Sequence, residues 1–394
     1  MSRQALSDFL TNAELGDLQR PAGEALGLPG KCYGAEFFAL EQARLFPRRW
    51  CPVGFAGDIP EPGAAKPVDL AGWPLLLVRG EDGAIRAFHN VCRHRNNIVV
   101  DAPCRGLKRI ICPWHSWTYD LDGRLIATPH LGGQRKNADP TFDAADVDLK
   151  PVATAEWLGF VFVNIDGAAP PFEEHIRPLA ELYRDYELDD LRPDAGWDME
   201  FPCNWKVVVE GAIEDYHLPY VHAQMVRGEV EARPRLDHAP GCFFASSSAR
   251  KYRAGDDAGE ATARHSPLPR ILGAPGEVEQ RTFVTSVFPT GFATTRPNYI
   301  WIWLILPVGP GRTRVETRAL FKGDAGTDPA FAELRRALDD EWRLVLDQDL
   351  TLVENVQRNM NRPDDAGIRP RFSPYWEANI QRFQQSIVEA VGPA

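Results

Sequence analysis

The 394-residue chain is poor in several things, and each shortage removes a class of protein. No apolar run approaches the ~20 residues of a membrane-spanning helix. The longest, Trp301–Val308, is strand-sized. Residues 1–16 are polar and hold no apolar h-region, so no secretory leader is expected. Positive charge is in deficit, with 44 Lys and Arg against 55 Asp and Glu, a net of −11. A general nucleic-acid surface needs a basic field and is not expected. The seven cysteines are odd in number and scattered, which is no disulfide framework. A reducing, cytoplasmic setting is expected, with thiols free for metals or packing. Nothing indicates disorder or a repeat array.

What remains is an ordinary globular composition, 44% hydrophobic and 25% charged, long enough for two or three domains. Residues 1–48 read as a mainly helical segment, with Phe37, Phe38, Leu40 and Leu45 set among charges. Over 49–166, short β-type runs such as Leu75–Arg79, Ile85–His89 and Phe160–Ile165 alternate with turns such as Asp120-Leu121-Asp122-Gly123. Such spacing predicts a small all-β domain. Over 167–394, helices are predicted near 175–185, 204–218 and 329–357. Strands are predicted at 242–252, 281–288, 299–306 and 312–322. The fold class is α+β, with a long twisted antiparallel sheet gripped by helices. Arg253–Gly276, rich in Gly, Ala, Pro and charge, reads as a loop.

Chemistry concentrates in two constellations. The first is Cys92-Arg93-His94 and Cys112-Pro113-Trp114-His115: C-x-H, seventeen residues, then C-x-x-H. Zinc accepts two thiolates and two imidazoles. Zinc fingers, however, usually pair like with like, whereas each loop here donates one Cys and one His. That split suits a two-iron cluster with both thiolates on one iron and both imidazoles on the other.

The second lies in Asn204–His222. His217 and His222 would diverge by about 140° on an unbroken helix. Pro219 disfavours helix at its predecessor, so a helix ending near His217 could swing His222 back. Oxygen-activating iron takes two His and one carboxylate on one face. A helix capped by Asp328 carries an apolar stripe of Phe331, Leu334, Leu338, Trp342, Val345, Leu352, Val353 and Val356. Asp349 fills its one gap, and a metal would offset the cost of burying that carboxylate, as a buried Arg also would. Asp347 falls on the polar face.

His89-Asn90-Val91-Cys92-Arg93-His94-Arg95 and the run Cys112 to Gly123 resemble the Rieske signature of ring-hydroxylating oxygenase large subunits. Family members often have Arg-Gly-Ala where this chain has Arg95-Asn96-Asn97, and Gly where Ser116 stands. Asn204-Trp205-Lys206, then Glu214-Asp215-Tyr216-His217 and His222, resemble the family's mononuclear iron motif. Asp349, Glu354 and Gln357 resemble its third-ligand helix. Gly211 stands where an Asn is common. Together the resemblances span about residues 50–360.

The resemblance implies a terminal oxygenase using O2 and electrons from NAD(P)H through a reductase or ferredoxin. It implies a 2Fe-2S cluster on Cys92, His94, Cys112 and His115, and Fe(II) on His217, His222 and Asp349. It also implies a head-to-tail homotrimer, with or without a small β subunit, in which Glu214 bridges His217 and His115 of the partner subunit. On a helix Glu214 and His217 would share a face; Asp215 is the alternative bridge. Arg93, Arg95, Arg105, Lys108, Arg109 and Arg124 form a candidate docking patch for the donor. Candidate substrate contacts are Ile213, Leu218, Val221, Met225, Phe283, Phe288 and Phe292. An aromatic substrate is the first expectation. A quaternary ammonium compound is the second, because Glu in place of the commoner Asp at 214 resembles the carnitine and betaine branch; Tyr299, Trp301 and Trp303 could form its cage. A pure electron carrier, or a ligand-binding module, would have no use for His217, His222 and Asp349.

Overall fold

The computed structural model describes residues 5–223, 229–251, 267–271, 281–363 and 367–392. Two compact units emerge: Pro52–Ala169, and Met1–Cys51 with Pro170–Ala394.

The smaller unit is all-β. Its strands are β1 (Cys51–Phe55), β2 (Ala65–Leu70), β3 (Trp73–Arg79), β4 (Ile85–His89), β5 (Ile110–Ile111), β6 (Thr118–Tyr119), β7 (Leu125–Ala127), β8 (Pro151–Trp157) and β9 (Phe160–Asn164). Six form one sheet, in the order β1-β9-β8-β4-β3-β2, and β5-β6-β7 form a second. The turn at Asp120 requires its glycine. Gly123 has φ +86°, and a Cβ there would stand 2.5 Å from the Phe88 ring.

The larger unit begins with α1 (Asn12–Leu18) and α2 (Ala35–Arg44), followed after the β unit by α3 (Phe172–Leu182), β10 (Leu191–Pro193), β11 (Trp197–Phe201), α4 (Trp205–Ala212) and α5 (Leu218–Val221). Then come β12 (Glu229–Ala239), β13 (Phe243–Lys251), β14 (Arg281–Val287), β15 (Gly291–Thr295), β16 (Ile300–Gly309), β17 (Arg312–Lys322), α6 (Ala332–Met360) and α7 (Ala378–Val391). Seven of these strands form an antiparallel sheet, β10-β17-β16-β15-β14-β13-β12, and β11 pairs with the same edge of β17 as β10. The near-continuous apolar run of β16 is buried over eight residues because strands flank it on both sides.

Three sequence expectations need correction. The helix over 204–218 stops at Ala212. Pro219 does not end it; it sits in the first turn of α5, where its missing N–H costs nothing. The apolar stripe of α6 is buried at Leu338, Trp342, Val345 and Leu346, but Leu352 and Val356 are 45% and 39% exposed. Beyond Asp349 the helix is held by Gln357 instead, whose Oε1 accepts from Asn204 N at 2.7 Å. Helix α7 escaped the periodicity because its buried face carries Gln381 and Gln384 among the apolar residues. These amides are satisfied: Gln381 donates to Leu18 O and Arg20 O, and Gln384 donates to Glu210. Of Arg253–Gly276, only 267–271 lies within the described residues.

Candidate metal centres

Two loops of one build carry Cys92, His94, Cys112 and His115. In the first, Asn96 N donates to Cys92 O at 2.9 Å and Cys92 N to Asn97 O at 2.8 Å. In the second, Ser116 N donates to Cys112 O at 3.0 Å and Cys112 N to Trp117 O at 2.8 Å. Both loops turn on a left-handed residue, Asn96 or Ser116, each with φ +56°. These are the two positions where the family pattern often has Gly. Asn tolerates that conformation; Ser does so at a cost. Ser116→Gly should therefore raise stability by about 1 kcal/mol, read as a higher denaturant midpoint at unchanged slope. An unchanged or lower midpoint would mean that Ser116 is held there by more than backbone geometry.

The donor set is split by environment. Cys92 and Cys112 belong to the apolar core of the unit, with Leu76, Phe88, Ile110 and Trp117, whereas His94 and His115 are exposed. The imidazole rings lie 4.5 Å apart, and His94 stacks on Trp117. The two thiols are hydrogen-bond neighbours, and Tyr119 Oη lies 3.5 Å from Cys92 Sγ. A tetrahedral zinc site would gather all four donor atoms within about 4 Å of one another. Among the described residues, the one group of three or more donors within 4.8 Å is elsewhere. A buried thiolate pair and an exposed imidazole pair fit two irons. Around the histidines, Ile111, Trp114 and Ile126 are about half exposed. Arg95 lies 4.3 Å over the Trp114 ring, and Arg93 pairs with Asp146. Arg105, Lys108, Arg109 and Arg124 are exposed.

The compact donor group is His217, His222 and Asp349. His217 and His222 bracket α5 as its end residues, so a single helical turn turns the second ring back toward the first. His222 Nε2 lies 3.0 Å from Asp349 Oδ1, and His217 Nε2 lies 4.0 Å from it. Both outer nitrogens are engaged. His222 Nδ1 donates to Gln348 Oε1 at 2.8 Å, and His217 Nδ1 donates to Glu214 Oε1. In the neutral form of either ring, a proton on Nδ1 leaves Nε2 as the acceptor facing inward, the form a metal needs. His222 Nε2 is buried and makes no hydrogen bond, a polar atom that a metal would satisfy. Metal bonds of about 2.0–2.2 Å suit donors at these separations. Asp347 is exposed. Burial opposes a charge on His217, but the Glu214 hydrogen bond and the nearby carboxylates Asp349 and Asp215 outweigh it and raise its pKa.

The Glu214–His217 contact is not a helix-face pair, since 213–217 lies between α4 and α5. Instead the carboxylate folds back, and its Oε2 accepts from the backbone of Tyr216 and His217. The Asn-Trp-Lys motif anchors α4 upstream. Asn204 caps it, Trp205 Nε1 donates to Glu41, and Lys206 Nζ pairs with Glu41 at 2.6 Å, both fully buried. One turn on, Glu210 accepts from Tyr33 Oη at 2.6 Å and Gln384 Nε2 at 2.9 Å. Burial still pushes Glu210 up, to about 7. The unfolded chain gives up that proton first, so folding should weaken as pH rises from 4.5 toward 7, by about 3 kcal/mol at most. Melting midpoints between pH 5 and 8 should show that fall, and Glu210→Gln should flatten it; an equally steep fall in the variant would assign it to other groups.

A cavity opens beside the three donors. Strand parity chooses its lining. Thr282 and Val284 of β14 face it, and Phe292 and Thr294 of β15, with Arg296 just beyond, continue one face. Helix α6 adds Trp342, Val345 and Asp349 at helical spacing, and β16 adds Trp303. Of the expected contacts, Leu218 and Phe292 line it; Ile213, Val221, Phe283 and Phe288 do not. Phe283 points to the other side of the sheet, against Tyr183 and Tyr186, and Phe288 packs on Phe244 and Phe383. Ile213 is buried, and Met225 lies outside the described residues. Of the expected cage, Trp303 is in the wall, Trp301 stacks behind it on Trp342, and Tyr299 packs on Phe321. Trp342 and Arg296 were not foreseen; Trp342 was legible only as part of the apolar stripe. Gly211 leaves open space where a side chain would enter the cavity.

Comparison with known proteins covers both units. The family model of the ring hydroxylating alpha subunit (catalytic domain) matches residues 188–392, and that of the Rieske 2Fe-2S domain matches 49–140. The glycine betaine monooxygenase oxygenase subunit of Chromohalobacter salexigens is 29% identical over 391 residues, covering 92% of this chain and 86% of that protein. A solved quaternary ammonium Rieske monooxygenase superposes with TM-score 0.77 at 22% identity, covering 95% of this chain and 97% of that one. Naphthalene 1,2-dioxygenase with indole bound superposes at 0.72 and 19% identity, covering 93% and 92%. At those identities the two structures establish the fold.

Proposed function

Since the chain belongs to the family of ring-hydroxylating oxygenase alpha subunits, a Rieske non-haem iron oxygenase with a 2Fe-2S cluster and a mononuclear iron, we propose that it is the terminal component of a monooxygenase acting on a methylated quaternary ammonium compound. The observation that carries the substrate class is the aromatic wall of Phe292, Trp303 and Trp342 beside the histidines, a surface suited to a methylammonium group. The name of the Chromohalobacter relative supports the same class.

Iron on His217, His222 and Asp349 supplies the one-electron chemistry that dioxygen requires, and the cluster on Cys92, His94, Cys112 and His115 supplies electrons singly. One oxygen atom enters an N-methyl C–H bond; the other leaves as water, taking two electrons and two protons. The N-hydroxymethyl product then loses formaldehyde, the C–N electron pair staying on nitrogen and the hydroxyl proton passing to solvent. Glu214 and Gln348 hold the Nδ1 protons that orient the two imidazoles, and Leu218, Phe292 and Trp303 shield the reacting carbon from water.

Electrons arrive from a reductase or ferredoxin, and chains assemble head to tail as a trimer, with Glu214 joining His217 to His115 of the partner subunit. Exposed large apolar side chains support this: Trp114, whose ring lies 4.8 Å from that of His115, and Tyr216 and Tyr220, which flank His217 in sequence. Exposed apolar surface of this kind, where it is contiguous, marks protein contacts.

The aromatic substrates expected first are a second reading, favoured by the apolar cavity wall. The experiment is substrate-dependent NADH and oxygen consumption with a reconstituted reductase, run over quaternary amines and aromatic acids. Formaldehyde release with a betaine supports the first reading. Turnover of aromatic acids alone overturns it.

A further inference from the structure

A glycine inside a helix needs a reason, because it weakens the helix relative to alanine. Two reasons are common: a positive φ, or a neighbour too close for a Cβ. Gly123 shows both, with φ +86° and the Phe88 ring 2.5 Å from where its Cβ would stand. Gly211 shows neither. It sits in the last turn of α4 without a positive φ, and it is not the helix cap, which is Ile213. Apart from its own helix backbone and chain neighbours, a Cβ at Gly211 would meet no atom within 4 Å. That open space belongs to the cavity, because Gly211 lines it together with Glu214, His217, His222 and Asp349. Helix α4 contributes only Gly211 and Ala212 to the lining, whereas β15, β16 and α6 contribute Phe292, Trp303 and Trp342. Gly211 stands three residues before Glu214, no more than about 11 Å away along an extended chain. Glu214 in turn holds His217. The wall built from small residues is thus joined directly to the loop that carries the donors.

We propose that Gly211 is a specificity-determining residue: the space left by its missing side chain receives the part of the substrate that faces the donor triad, an N-methyl group on the reading above. This rests on the cavity being the substrate site, and deepens that reading by naming the residue that sets the size limit of the head group. A methyl side chain at 211 would fill the room that one N-methyl group fills, and an overfilled site forces ligand or wall to move. Gly211 supplies no chemistry; it decides how large a group fits beside the donors.

The test is anaerobic titration calorimetry, with melting midpoints, on the full chain loaded with cluster and iron. Glycine betaine, with three N-methyl groups, is compared with N,N-dimethylglycine, with two. Wild type should bind glycine betaine about 3- to 10-fold more tightly. Gly211→Ala adds to the wall the methyl that dimethylglycine lacks. It should weaken glycine betaine about 10- to 100-fold and dimethylglycine less than about 3-fold, so that the order reverses. Gly211→Val should lose both ligands. The alanine variant should melt no lower than wild type, because the helix gains and nothing clashes. Unchanged iron content and cluster absorption show that both centres are intact. A lower midpoint for Gly211→Ala would show that the fold needs this glycine, and would overturn the proposal. So would an order that does not reverse, while binding of glycine betaine by wild type keeps the quaternary-ammonium reading. If wild type binds benzoate but neither methylated amine, that reading falls. Loss of benzoate in Gly211→Val then keeps the steric role, and its retention removes that too. Binding of none of these ligands by wild type refutes both.

Discussion

His217→Ala should lower iron from about three per chain to about two, leave the cluster absorption intact, and reduce turnover to less than about a thousandth. The reason is geometric. His217, His222 and Asp349 each supply one donor, and all lie within 4.8 Å of one another. Removing one leaves two donors facing water and an apolar cavity, which no longer close on an ion. Asp349→Ala should do the same, and it removes the charge that offsets the metal's. The cluster should survive, because Cys92 and Cys112 are fixed in the core of a separate compact unit. Metal analysis with visible absorption reads both centres at once. Two irons in wild type and variant alike would leave an electron carrier and remove the oxygenase mechanism.

Glu214→Gln should behave differently: three irons retained, turnover reduced by about 100-fold or more. Glu214 is buried, and its Oε1 accepts from His217 Nδ1. A glutamine carbonyl can accept that hydrogen bond and keep the ring oriented. What it cannot do is carry the negative charge that the proposed bridge from His217 to His115 of the partner subunit requires. Pre-reduced protein mixed with substrate and oxygen in a stopped-flow cell should show slow reoxidation of the cluster in the variant. A variant that loses the mononuclear iron would show that Glu214 merely positions His217. A variant with normal reoxidation would exclude it from the electron route. Asp215→Asn is the control and should reoxidise normally.

Much of this was legible because it is local. Cys92-Arg93-His94 and Cys112-Pro113-Trp114-His115 each lie within four consecutive residues, where loop geometry alone keeps the donors together. His217 and His222 are five apart, and Pro219 signalled that the helix from 204 does not run unbroken through both. The mechanism of that break was misjudged: Pro219 opens a new turn, because a residue without an N–H is tolerated at a helix start as readily as at an end. The exposed end of the α6 stripe was also hidden, since Leu352 and Val356 have the same spacing as the buried Leu338, Trp342 and Val345. Periodicity shows that residues share a face, not whether something covers it.

The amino-acid sequence by itself pointed to the two candidate donor sets and determined the β and α+β character of the units, because ligand chemistry depends on residue type and mostly short spacing, and secondary structure on period. Tertiary structure alone decided the cavity. Phe283 and Phe292 are equally apolar strand residues, yet one faces away toward Tyr183 and the other lines the cavity wall. That choice follows from strand register, in which a shift of one residue reverses every side chain. Arg296 reaches the cavity wall only because β15 keeps its phase past the last paired residue, while α6 brings Trp342 across to meet it. Contacts between residues 46 positions apart leave no trace in either segment read alone.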